Sequence, residues 1–187
     1  MIFFNCDYNE GAHENIIKRL AETNREQTVG YGEDDYCRQA AEMILEKCEM
    51  PEAQVHFLVG GTQTNLTVIA ACLKPWQGVI SADTGHINCH ETGAIEATGH
   101  KVLALPCRNG KLKGEQIREV VRNHWEDATH EHMVQPGMVY ISNPTEIGTI
   151  YHQKGLEELY RACQDCGLYL YIDGARMGYG LMARDND

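Results

Sequence analysis

Four short apolar runs each lead into residues able to do chemistry. Residues 168–172, Leu-Tyr-Leu-Tyr-Ile, lead into Asp173-Gly174-Ala175-Arg176. A carboxylate after such a run is costly to bury unless it is paired. Either Arg176 is an internal salt-bridge partner, or a ligand brings a cationic atom to Asp173 and an anionic one to Arg176. Residues 55–59 lead into Gly60-Gly61-Thr62-Gln63-Thr64-Asn65. Bare glycine amides at the start of a helix, with the Thr62 hydroxyl beside them, form an anion site. The alternative is a plain strand-to-helix turn with Thr62 as N-cap. The stretch matches neither GxGxxG nor a P-loop, which argues against a dinucleotide or ATP. Residues 79–82 lead into Asp83-Thr84-Gly85-His86, with Glu91 five positions on. His86 either caps and packs, or stacks on a planar ring and carries protons near neutral pH. Residues 139–142 lead into the polar turn Asn143-Pro144-Thr145-Glu146-Ile147-Gly148.

These groups need a scaffold that delivers them to one place. Helical periodicity is present at Ile16, Ile17, Leu20 and Ala21; at Cys37, Ala40, Ala41, Ile44 and Cys48; at Ile117, Val120, Val121, His124 and Trp125; and at Leu156, Leu159, Tyr160 and Cys163. Residues 62–73 and 86–97 are predicted as further helices. The apolar runs 55–59, 79–82, 102–105, 139–142 and 168–172 read as strands covered on both faces. Residues 128–137, with His130 and His132, read as a surface loop. The alternation implies a three-layer α/β/α architecture around a mainly parallel sheet. In such sheets ligands sit beyond the carboxyl ends of the strands, where all four groups fall. A phosphate cradle, a stacking histidine, a carboxylate for a ring nitrogen and an arginine for a substrate acid together describe pyridoxal phosphate (PLP) bound to an amino acid.

Bulk properties narrow the class. The 187 residues suffice for one domain with a buried core. No apolar run approaches the ~20 residues of a membrane span, and the N-terminus lacks the pattern of a signal peptide. A formal charge of −11 argues against nucleic acid or an anionic membrane as partner. Without a secretion signal, the eight cysteines are expected to be reduced, in a cytoplasmic setting. Cys163 and Cys166 have CxxC spacing, but they sit late in a helical pattern with no second pair, against a redox or metal role. No metal is expected.

The sequence resembles the threonine aldolase/β-eliminating lyase group of PLP enzymes. The resemblance rests on Asp7-Tyr8-Asn9-Glu10-Gly11-Ala12-His13, Gly30-Tyr31-Gly32-Glu33-Asp34, Gly61-Thr62-Gln63-Thr64-Asn65, His86 with Glu91, Asn143-Pro144-Thr145-Glu146-Ile147-Gly148-Thr149 and Asp173-Gly174-Ala175-Arg176. It implies a PLP-transferase-like fold, with residues 1–30 as an N-terminal arm and helix and residues 31–187 as a partial large domain, incomplete at its C-terminus. It implies that Gly61 and Thr62 hold the phosphate and that His86 stacks on the ring and serves catalysis. Asp173 would pair with the ring nitrogen, and Arg176 would face the carboxylate of a small amino acid. Tyr31 lies in a segment that, in the group, approaches a neighbouring subunit's active site, and a homodimer or tetramer is implied. The reaction implied is retro-aldol cleavage of a β-hydroxy-α-amino acid. The sequence departs from the group at Cys6, where some members place a serine near the substrate carboxylate, and at Glu146, where others carry a histidine. The group's Schiff-base lysine follows the Asp-Gly-Ala-Arg segment; here no lysine follows Lys154. A portion of a longer enzyme, inactive alone, is therefore expected. The alternatives are a catalytically dead remnant with a binding or assembly role, or another PLP β-eliminating lyase.

Overall fold

A computed structural model describes residue 3 and residues 5–183. The chain divides into two compact units, Met1–Phe57 and Leu58–Asp187.

The first unit contains helices α1 (Glu14–Thr23) and α2 (Asp35–Lys47). Each starts with a side-chain cap. His13 Nδ1 accepts from the Asn15 N–H at 3.2 Å, and Asp34 accepts from the Cys37 N–H at 3.0 Å. Both helices lie where the periodicity placed them, yet neither buries a residue.

The second unit is a layered α/β structure. Its elements are α3 (Gly61–Cys72), β1 (Gln77–Ala82), α4 (His86–Cys89), β2 (Val102–Leu105), α5 (Gly114–Glu126), β3 (Gln135–Ser142), α6 (Gln153–Cys166), β4 (Tyr169–Asp173) and α7 (Met177–Leu181). The four strands are all parallel, in the order β2-β1-β3-β4. Side chains alternate across the sheet. Ile80, Ala82, Val139 and Ile141 pack against α5 and α6 through Ile117, Val121, Leu159 and Ala162. Val79, Met138 and Tyr140 point to the other face, against Ile69 of α3, Leu73 at its C-cap and Ile87 of α4. The result is the expected three layers.

Four sequence expectations need correction. Residues 55–59 form no strand, although their composition suits one; Val59 is 93% exposed. A strand needs a neighbour for its backbone groups, and no described strand pairs with this segment. The helix expected over residues 86–97 is only α4 and a 3₁₀ turn at Glu96–Thr98. Between them Thr92 and Gly93 take positive φ values of 54° and 75°, which a right-handed helix cannot contain. Residues 128–137 are not wholly loop: His130–His132 is a 3₁₀ turn and β3 starts at Gln135. Pro136 is tolerated near the strand start, and Gly137 allows close approach, since a Cβ there would lie 2.7 Å from Leu73 Cδ2. The two edge strands are also less covered than expected, with Tyr169 of β4 59% exposed.

Among the described residues, no helix is long and apolar enough to cross a membrane.

Candidate active site

Parallel strands release their C-termini on one side, and α3, running back against them, starts there. Four groups therefore meet at this edge: the first turn of α3, the start of α4, the turn after β3 and the end of β4. The register Ser142↔Asp173 sets the tips of β3 and β4 side by side. Tyr140 and Ser142, and likewise Tyr171 and Asp173, lie two apart on their strands and so face the α3 side of the sheet.

Asp173 is half-buried and held by three donors. Its Oδ2 accepts from the Tyr140 hydroxyl at 2.7 Å and from Asn65 Nδ2 at 3.2 Å; its Oδ1 accepts from the Ala175 N–H at 3.0 Å. Burial, with the Asp173 charge as a lesser cause, holds the Tyr140 hydroxyl far above the ordinary tyrosine range. It stays a donor throughout the physiological range. Tyr171 is pushed up to about 12, first by burial and then by the charges of Asp173 and Glu91. Its hydroxyl donates to Asn65 Oδ1 at 2.7 Å.

Asn65 is 2% exposed and occupies the first core-facing position of α3, followed at four-residue spacing by Ile69 and Leu73. Its Nδ2 also donates to Glu91 Oε1 at 2.7 Å. The same Oε1 lies 2.7 Å from His86 Nδ1. Glu91 is itself buried, and its Oε2 has no hydrogen-bond partner among the described residues. His86 is partly exposed, and its backbone N–H donates to Glu146 Oε1 at 2.7 Å. Ser142 Oγ donates to the same Glu146 oxygen. Glu146, singled out in the sequence as a departure, thus anchors the start of α4 to the tip of β3.

The first turn of α3 completes the edge. Gly60 is its N-cap, with no side-chain cap. The first N–H groups of a helix have no partner within it. Cβ atoms built on Gly60 and Gly61 would meet nothing within 4 Å, so this turn is open. Gln63 turns back to accept from the Val59 N–H at 2.9 Å. Thr62 is exposed in the same turn, three residues before Asn65. Arg176 is the N-cap residue of α7, three residues beyond Asp173.

His86 and Asp173 are therefore joined through Glu91 and Asn65, with Gly61 and Thr62 one helical turn from Asn65 and Arg176 three residues beyond Asp173 in sequence. Cys6 belongs to the first unit, where its thiol donates to Asn9 Oδ1 at 2.9 Å. Sequence reading assigned no part to Asn65, Tyr140 or Tyr171. The signal for Asn65 was present: a polar residue opening the 65/69/73 apolar stripe. The tyrosines were legible only as apolar strand residues, because their partners lie 33 and 106 positions away.

Residues 7–178 match the model of the beta-eliminating lyase family. The chain belongs to that family. It is 31% identical over 175 residues to the low specificity L-threonine aldolase of Pseudomonas aeruginosa, covering 92% of this chain and 49% of that protein. The corresponding aldolase of a Pseudomonas species is 30% identical over the same length. A structure of Leishmania major threonine aldolase superposes with a TM-score of 0.91 at 48% identity, over 96% of this chain and 52% of that one. An Escherichia coli aminotransferase, 15% identical with a TM-score of 0.68, shares the fold. The fold is therefore that of the PLP-dependent aminotransferase-like enzymes, and the chain spans about half the length of the curated relatives it matches.

Proposed function

We propose that this chain supplies the cofactor- and substrate-binding part of a PLP-dependent lyase that cleaves a β-hydroxy-α-amino acid, threonine-like, into glycine and an aldehyde. The observation that carries this reading is Asp173, a carboxylate held at a strand tip by three donors and able to accept one more from a protonated ring nitrogen. The surrounding groups fit the cofactor. The uncapped, glycine-led first turn of α3 offers N–H groups to a phosphate, with Thr62 as a hydroxyl donor. His86 is anchored through its backbone by Glu146 and through Nδ1 by Glu91, with the His90 ring tilted beside it at 5.5 Å, and this fixes the plane that its ring offers to a planar ligand. Two carboxylates, Glu91 and Asp173, share one amide, and a cationic ring nitrogen beside Asp173 offsets that negative charge.

When bound, PLP withdraws electrons from the substrate's Cα and makes bond cleavage there feasible. The chain's own part is to keep the ring nitrogen protonated through Asp173, to fix the ring plane with His86, and to orient the substrate carboxylate with Arg176. Bringing the scissile bond into line with the ring system is an orientation effect supplied by those contacts.

A polypeptide of these 187 residues has no lysine beyond Lys154. It is expected to bind PLP reversibly and to release no aldehyde from threonine without a further polypeptide that supplies the tethering lysine. Absorbance titration with PLP tests this reading. The wild-type chain is expected to saturate, with Asp173→Asn binding about tenfold or more weakly through loss of a charge-assisted bond worth ~1.5–3 kcal/mol. Titrations that never saturate, or that are unchanged by Asp173→Asn, would overturn the assignment.

A further inference from the structure

Asn65 is in contact with both acids of the site. Its Nδ2 donates to Glu91 Oε1 at 2.7 Å and to Asp173 Oδ2 at 3.2 Å, while its Oδ1 accepts from the Tyr171 hydroxyl at 2.7 Å. A side-chain amide has two N–H groups on one end and only acceptors on the other. Carboxylates accept, so the amide must present nitrogen to both acids. The Tyr171 hydroxyl enforces that orientation, because it remains protonated and can only be satisfied as a donor by the carbonyl end. The residue is 2% exposed, so water does not compete for these bonds.

We propose that Asn65, locked by Tyr171, is a positioning residue that couples the carboxylate facing the ring nitrogen, Asp173, to the Glu91–His86 pair facing the ring plane. The two contacts proposed for the cofactor ring, one in its plane and one on its face, would then be set by a single amide. Moving Asp173 shifts Asn65, and Asn65 carries the shift to Glu91 Oε1, the atom that holds His86 Nδ1. The meaning of this coupling for catalysis rests on reading Asp173 as the ring-nitrogen partner; the coupling itself does not.

The test uses ¹⁵N NMR of the His86 ring in the full 187-residue chain at one fixed pH, without cofactor. Asp173→Asn keeps the shape and removes the charge, and it is expected to displace the His86 ring resonances. The same substitution is then made in a Tyr171→Phe background, which deletes only the hydroxyl of a half-buried ring, and in an Asn65→Leu background. In either background the displacement is expected to fall at least about threefold, as for residues whose shared partner has been removed. A displacement of equal size in all backgrounds, or none in the wild type, would overturn the proposal. A purely structural role for Asn65 would lower stability without changing this difference. If Asn65→Leu does not fold, the Tyr171→Phe pair decides alone. A parallel PLP titration separates the two readings. Coupling without PLP binding sinks the cofactor assignment only, and PLP binding without coupling sinks the role of Asn65 only.

Discussion

A buried amide must offset its desolvation with hydrogen bonds, and Asn65 does so through three partners, Tyr171 and Asp173 of β4 and Glu91 just beyond α4. Replacing it with alanine removes one donor from each of the two acids and the acceptor of the Tyr171 hydroxyl. The expected loss is about 1–3 kcal/mol in urea unfolding, larger than for Asn65→Leu if the cavity adds to it. Cys163 shows the converse, a polar-looking motif made inert by its surroundings. Its spacing with Cys166 resembles a redox pair, but it is buried against α5 and the sheet, and burial pushes its thiol up to about 11. Iodoacetamide at pH 8 is expected to label the exposed Cys48, Cys72 and Cys89 while leaving Cys163 unmodified until the chain is unfolded. Mass spectrometry of the labelled peptides checks this; early modification at Cys163 would contradict its placement. At this scale the sequence showed which residues were chemically able, such as Asp173 and His86. It did not show the tyrosine and asparagine that hold Asp173, because hydrogen bonds across 33 and 108 positions leave no local pattern.

Among the elements, those with long period or strong alternation were legible. The stripe Leu156, Leu159 and Cys163 marked α6, and it packs on β1 and β3 as a continuous apolar layer. Leu159 is at its centre, and Leu159→Ala is expected to cost about 2–5 kcal/mol, read as a lowered urea midpoint. The elements that were misread lack local determinants. Residues 55–59 have the composition of a strand but no described partner, and composition alone cannot supply one. The start of β3 was hidden by Pro136 and Gly137, which read as loop residues until the close contact with Leu73 is seen. On α5, burial and then the neighbouring His130 lower the proton affinity of His124 below its ordinary value of 6.5. The unfolded chain therefore binds this proton more readily than the folded one. The contribution of neutral His124 is present above about pH 6.5 and is lost as the pH falls below it. Thermal melts between pH 7 and pH 5 are expected to show a steeper acid-side loss in the wild type than in His124→Leu. Equal slopes would show that folding leaves the proton affinity of His124 unchanged.

For the whole molecule, the sheet of the second unit has two edge strands, β2 and β4, and β4 exposes Tyr169 and Ile172. Unpaired strand edges with apolar side chains promote association between chains. The net charge of −11 opposes this by repulsion. Self-association is expected to dominate, and more strongly as salt screens that charge. Sedimentation at low and high ionic strength tests this, and a monodisperse monomer at both would contradict it. The layered architecture could be anticipated from strand and helix alternation, whereas the coverage of each edge could not, since it depends on what lies beside the outermost strands. The proposal that the carboxyl edge of this sheet holds a protonated pyridine ring against Asp173 is tested most directly at the ring nitrogen. NMR of PLP labelled with ¹⁵N at the ring nitrogen reports on that atom directly. At a pH where the free ring is unprotonated, the bound ring is expected to give the shift of a pyridinium in the wild-type chain and that of neutral pyridine in Asp173→Asn. A ring nitrogen that keeps its free-solution shift at saturating wild-type protein would contradict the claim.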